Sequence, residues 1–336
     1  MTSERDTWLA LTTEEPIDPD LPICDPHHHF WDRPDSRYLL DELLQDTGGG
    51  HRIMETVFVE CSSMYRRDGP ELMRPIGETE FVQGLAAMSA SGGYGDTKVA
   101  AGIVGYADLS SGDKVTAALE AQIEASKNRF RGIRNSSCWD ESPDIRSYKN
   151  PMKGLLADPK FREGFSALDK LGLSFDAWLY HTQLIELADL ARAFPGVTII
   201  LDHIAGPLGT GPYAGKKEEV FASWKAGMTE LATCPNVVIK LGGFGMPLGG
   251  FGWHERSAPP TSTDIAEGMS PYYLYCIEKF GVDRCMFESN FPVDKVSSSY
   301  TVLWNAFKRM TEGFSAAERS SLFRDTAVRT YRLDVE

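Results

Sequence analysis

The sequence predicts an α/β protein folded as a (β/α)8 TIM barrel, and three observations point there. Eight short apolar runs recur along the chain, helical stretches fit between them, and five of the seven histidines lie at the trailing ends of such runs. A barrel places its chemistry on the loops that follow its strands, so histidines gathered there read as a site rather than as packing.

The eight runs are 22–25, 56–59, 99–105, 130–133, 174–178, 197–201, 237–240 and 285–287. Most are rich in Val, Ile, Phe and Leu with little alternation, as in strands buried on both faces of a parallel sheet. Between them, 113–126 carries Val115, Leu119 and Ile123 at helical spacing. Asp158-Pro159 opens a helix through Leu171, because proline fits a first helical turn. The stretch 184–194 stops at Pro195-Gly196, and 220–232 stops before Pro235. Ser315 and Glu318 have capping-box spacing and open the last helix. An open doubly wound sheet shows the same alternation with fewer strands, but it normally carries a glycine-rich phosphate turn after its first strand, and none follows here. No composition break separates a second domain, so one barrel over 1–336 is expected. The segment 242–271, which holds Gly242-Gly243-Phe244-Gly245 and Gly249 to Arg256, lacks periodicity and reads as a long loop over the catalytic face.

Composition narrows the class. The 336 residues carry a formal net charge of −14, which argues against a nucleic-acid or anionic-membrane partner. The N-terminal stretch lacks the basic and apolar regions of a signal peptide. The six cysteines are scattered without a C-x-x-C pair and read as free thiols, so a cytoplasmic location is expected. A small-molecule substrate is the partner this favours. A homo-oligomer is compatible with the composition.

The chemistry-bearing residues follow from the strand ends. In Asp25-Pro26-His27-His28-His29, side-chain alternation sends His27 and His29 to one side and His28 to the other. His181 follows the fifth run and His203 the sixth. Two or more converging imidazoles suit a divalent metal or a polarised carbonyl. Arg134, ending the fourth run, is a natural clamp for a carboxylate or carbonyl oxygen. Lys240 could do similar work, and Glu60 is a partner for either. Glu288 and Asp294, near the end of the eighth run, are candidate bases by proximity. Arg66 and Arg67 could add positive charge at a pocket mouth. Trp31, Trp139, Trp178, Phe251 and Trp253, with His254, could wall a substrate pocket.

His27-His28-His29-Phe30-Trp31-Asp32, Gly132-Ile133-Arg134, Asp202-His203-Ile204-Ala205-Gly206-Pro207, Lys240-Leu241-Gly242-Gly243 and Ser289-Asn290-Phe291-Pro292-Val293-Asp294 occur in an order that resembles the amidohydrolase superfamily. The likeness is to its amidohydrolase-related branch, which includes sugar-acid lactonases and 2-pyrone-4,6-dicarboxylate lactonase. It runs from about Ile23 to Leu333. It implies a distorted barrel that hydrolyses a lactone or related ester, with His27, His29, His181 and His203 matching the superfamily histidines. Some members bind one divalent metal; others polarise the carbonyl directly. The chain departs from the pattern at Asn290, where relatives carry an aspartate that ligates metal and deprotonates water, and at Asn135, where relatives often have histidine.

The expectation is therefore a hydrolase of a small, oxygen-rich, anionic lactone. His27, His29 and His181 would polarise the carbonyl, alone or through one zinc or manganese ion that they ligate. Arg134, Lys240, Glu60, Trp31, Trp253 and His254 would bind substrate. His203, or Asp294 or Glu288, would activate water, and Asn290 would donate a hydrogen bond. Two rivals stand beside it: a metal-dependent decarboxylase of the same superfamily, and a barrel that binds a small acid without turning it over.

Overall fold

The computed structural model describes residues 4–148 and 152–334. Its centre is an eight-stranded parallel sheet in the order β1-β4-β5-β6-β7-β8-β9-β10. The strands are β1 (Ile23–His28), β4 (Ile53–Val59), β5 (Lys98–Gly105), β6 (Phe130–Arg134), β7 (Ser174–Ala177), β8 (Ile199–Leu201), β9 (Val237–Leu241) and β10 (Cys285–Phe287). A parallel bridge between His28 and Phe291, with the His29 N–H donating to the Phe291 carbonyl at 2.8 Å, draws the last strand end to the first. The sheet is thus a nearly closed (β/α)8 barrel. All eight expected strands are present. A small antiparallel hairpin, β2 (Trp31–Arg33) with β3 (Ser36–Tyr38), follows β1.

Alternation explains the layering. In β8, Ile199 and Leu201 pack outward against the helices, while Ile200 packs inward with Val57, Val104, Val238 and Met286. The barrel axis is thereby filled with side chains rather than open. Continuing the inward period, Lys240 follows Val238 in β9, and Asp176 pairs in register with Ile200 from β7. The inward row therefore turns from apolar to charged toward the strands' C-terminal ends.

The helices lie close to where the pattern put them: 115–125, 159–171, 184–193 and 217–232. Ser315 and Glu318 make the expected capping box. The long loop is shorter than expected. A helix runs from Ser262 to Phe280 with Pro271 inside it, so the irregular segment ends at Thr261. Its start is capped by Thr261, whose hydroxyl accepts from the Asp264 N–H while Asp264 reaches back to the Thr261 N–H. Burial of Ile265, Met269, Tyr273, Cys276 and Ile277 along one face carries the helix through the proline, which reads as a boundary in the sequence. All six cysteines are unpaired. Among the described residues, no helix is long and apolar enough to cross a membrane.

Candidate active site

The C-terminal ends of β1, β6, β8 and β10 surround a cavity of about 710 Å³. His29, Trp31, Glu60, Arg134, His203 and Asn290 reach it, together with Arg33, Arg146, Tyr148 and Trp178. His27 lies beneath, fully buried, with ring centroids 4.9 Å from His29 and 4.6 Å from His203. His28 faces away, where its Nε2 meets the Thr56 hydroxyl at 2.9 Å.

Glu288 is the hub. Its Oε1 accepts from His203 Nδ1 at 2.6 Å and from the His203 N–H at 3.1 Å. Its Oε2 stands 2.7 Å from Nδ1 of His27, whose pKa is lowered by burial. Burial would raise the Glu288 carboxyl pKa, but the imidazoles of His203 and His27 outweigh it and hold the group well below the usual range. The local chain is shaped to allow this. A Cβ on Gly242 would lie 2.2 Å from Glu288 Cγ, and one on Gly243, at φ +77, would lie 2.4 Å from the His203 ring. His203, Ile204 and Ala205 occupy left-handed backbone at φ 54, 47 and 64. Such conformations cost energy in non-glycine residues and persist where surrounding structure enforces them. Here Trp224 Nε1 donates to the Ile204 carbonyl at 2.8 Å.

Below the cavity lies a charged layer. Lys240 Nζ contacts Asp176 at 2.7 Å and Asp202 at 3.1 Å, all three fully buried. Burial alone would lower the lysine pKa; Asp176, Asp202 and Glu288 outweigh it and raise it. Arg134 Nε donates to Glu60 at 3.0 Å, Nη2 to the Glu60 carbonyl at 2.6 Å, and Nη1 to Asp202 at 3.2 Å and His27 Nε2 at 3.3 Å. His29 Nδ1 donates to the Val59 carbonyl at 2.7 Å. A carbonyl can only accept, so the Nδ1 proton is fixed. Burial holds the His29 ring neutral, leaving Nε2 as an acceptor. Asn290 donates one amide N–H to Asp294 at 2.8 Å, and the Gly245 N–H donates to the other Asp294 oxygen at 3.0 Å. Burial pushes the Asp294 carboxyl up to about 7.

Several residues named from sequence lie elsewhere. His181 sits apart from this cluster, its ring centroid 5.4 Å from that of Tyr213 and its Nδ1 accepting from the Leu208 N–H at 3.4 Å. It turns away because the chain enters a short helical turn at His181–Gln183, with three residues between it and the end of β7. Trp253 is 3% exposed and stacks on Phe251 at 4.5 Å in the core, while His254 faces its neighbour Glu255. Neither lines the cavity. Lys240 is enclosed by carboxylates rather than offered to a ligand, and Asp294 stands behind Asn290. Arg66 forks onto Glu80 on the outer surface. The sequence reading did not assign functions to Asp176 and Asp202, or to Arg33 and Arg146. A carboxylate within the apolar run 174–178 was the available signal for Asp176.

The chain belongs to the Amidohydrolase family, whose model matches residues 24–333. The uncharacterised protein y4mH of Sinorhizobium fredii is 37% identical over 328 residues, covering 94% of this chain and 99% of that one. An L-fucono-1,5-lactonase of Burkholderia ambifaria is 25% identical over 324 residues, 92% of this chain and 95% of that one. A crystal structure of a Burkholderia multivorans amidohydrolase with bound zinc superposes with a TM-score of 0.69 at 24% identity, covering 93% of this chain and 99% of that one, and shares the fold.

The family's metal poses a test for these residues. His27, His203 and Glu288 bring one ligand atom each within 4.8 Å of one another. Yet both nitrogens of His27 are engaged, Nδ1 facing Glu288 and Nε2 accepting from Arg134. The Lys240 ammonium stands 3.3 Å from the same Nδ1. Arg134 and Lys240 beside His27 oppose a further cation, while the buried carboxylates of Glu288, Asp202 and Asp176 around them favour one. Asn290 removes an anionic ligand and His181 is elsewhere. His27, His203 and Glu288 are the residues that could hold a divalent ion, a set different from the His27, His29 and His181 expected from the sequence.

Proposed function

We propose that this chain is a metal-independent hydrolase that opens a lactone of a small, oxygen-rich acid. The observation that carries the reading is the Glu288 carboxylate held between His27 and His203, with the His203 ring reaching the cavity. Glu288 takes the Nδ1 proton of His203 as its hydrogen bond, so Nε2 keeps its lone pair. That is the arrangement of a general base oriented by a carboxylate.

Donors for the carbonyl follow from counting. An arginine has five N–H groups. Four of those on Arg134 are engaged by Glu60, Asp202 and His27, so one on Nη2 remains. Asn290 likewise keeps one amide N–H after donating the other to Asp294. The lactone carbonyl oxygen accepts from these two, and its developing charge is stabilised by them. His203 Nε2 takes a proton from water as the oxygen adds to the carbonyl carbon. The ring C–O bond then breaks, and the imidazolium returns the proton to the departing alkoxide. His27 and His29 do not polarise the carbonyl in this scheme, since neither offers a free N–H; His27 braces Glu288 and His29 accepts from water or a substrate hydroxyl. The likeness to an L-fucono-1,5-lactonase supports the reaction class.

The test is proton release during lactone opening, with L-fucono-1,5-lactone and 2-pyrone-4,6-dicarboxylate as probes, with and without chelator. Chelator-resistant turnover that falls by about 10²–10⁴-fold in His203→Gln is expected. No opening of either lactone would sink the reaction, and loss of activity on chelation would sink its metal independence.

A further inference from the structure

Two arginines at the cavity have no role in the scheme above. Arg33 ends β2, in the hairpin after the first barrel strand, and Arg146 lies in the loop that follows β6. Both line the cavity. The Arg33 guanidinium lies 4.3 Å from the Trp31 ring centroid, and that of Arg146 lies 4.7 Å from Tyr148. Arg33 also donates to the Cys61 carbonyl at 3.4 Å. Among the described residues, neither meets a carboxylate. The cavity lining contains one carboxylate, Glu60, and Arg134 already holds it.

In a chain of net charge −14, unpaired guanidiniums beside a cavity stand out. Stacking on an aromatic ring fixes the plane of each without using its N–H groups, which leaves the fork available to an oxyanion. The reaction centre at His203 and Asn290 supplies donors and a base but no net positive charge for a substrate's acid group. We infer that the substrate carries carboxylate substituents away from its reacting carbonyl, and that Arg33 and Arg146 bind them. They are specificity residues for a carboxylated lactone, in contrast to a neutral sugar lactone. This rests on the lactonase reading for the word lactone, while recognition of the carboxylates stands on the two arginines alone.

Citrate, an unreactive tricarboxylate, separates the two claims. Its dissociation constant is measured by calorimetry on the intact protein, together with Arg33→Gln, Arg146→Gln and the double variant; Arg66→Gln, on the outer surface, is the control. Each single variant is expected to weaken citrate about tenfold and the double about a hundredfold, with the control unchanged. Arg33→Lys and Arg146→Lys keep the charge and are expected to recover part of the loss. Wild-type protein that does not bind citrate at millimolar concentration, or a double variant that binds it like wild type, would overturn the inference. Protein that binds citrate through these arginines but opens neither lactone would remove the lactonase reading and leave the recognition of carboxylates intact.

Discussion

Among the described residues two lysines are buried, Lys240 and Lys308, and their surroundings differ. Lys240, at the active end of β9, is met by charge: Asp176 and Asp202 contact it, and its pKa is raised. Lys308, on the helix Tyr300–Met310, is hydrogen-bonded by dipoles, and the charge of Asp18 only partly offsets its burial. It donates to the carbonyls of Ile17 and Asp18, each at 2.8 Å, and to His51 Nδ1 at 2.9 Å. Burial brings its pKa down to about 8. The first lysine belongs to a layer of charges beneath the cavity. The second ties the N-terminal segment to the barrel's outer helices. The same side chain therefore supports chemistry where carboxylates answer it and architecture where carbonyls do.

The comparison breaks most visibly at the charged layer's link to the cavity. Glu288→Gln keeps the volume but removes the anion that holds His203 and His27. Turnover is expected to fall by about 10²–10³-fold, mostly in kcat, because the base loses its orientation and charge partner rather than its contact with substrate. A change in KM alone, with kcat intact, would mean that Glu288 serves binding instead. The variant's circular dichroism should match the wild type.

Lys240→Met tests the layer itself. It leaves Asp176 and Asp202 buried without their cation, a loss of about 3–5 kcal/mol in unfolding free energy by urea titration. Arg134 still reaches Asp202, so the loss falls mainly on Asp176, which retains the Tyr331 hydroxyl at 2.6 Å. A change below about 1 kcal/mol would mean that the two carboxylates take up protons rather than carry charge.

Much of this was legible in the sequence. The eight strands follow from apolar runs whose length and spacing suit burial on both faces. The convergence of His27 and His29 follows from a period of two. His203 and Asn290 were marked by their places at strand ends. What escaped is instructive. His181 also follows a strand, yet a short helical turn swings it to Tyr213, and no local pattern announces that turn. Pro271 reads as a boundary, yet the cap at Thr261 starts the helix nine residues earlier. The metal set expected from the sequence, His27, His29 and His181, missed Glu288 as the partner of His203, because the two meet only through a contact 85 residues apart in sequence. Proximity across a barrel is set by strand order, which composition and spacing do not encode.

At the second lysine, the expected effect is smaller. Lys308→Met strips hydrogen bonds from two carbonyls and from His51, a cost of about 1–3 kcal/mol. Limited proteolysis should then cut ahead of Asp20 sooner than in the wild type, while turnover stays unchanged. Lost activity would mean that the N-terminal clamp reaches the site.

The smallest effect sharpens the contrast by sign. Lys308 holds its proton less tightly folded than unfolded, with pKa values of about 8 and 10.5. Between these values the unfolded chain binds more protons, so the contribution of Lys308 to stability rises as pH climbs from about 8 to 10.5. Below pH 8 both states are charged and the burial penalty stands in full. Lys240 behaves oppositely: its folded pKa lies above 10.5, so its contribution is full below that value and falls as pH rises through the folded pKa. The difference in unfolding free energy between wild type and Lys308→Met, followed by urea titration from pH 7.5 to 10, should therefore shift in the wild type's favour as pH rises. A flat difference would mean that Lys308 keeps its proton throughout, and that carbonyl dipoles hold a buried ammonium as well as carboxylates do.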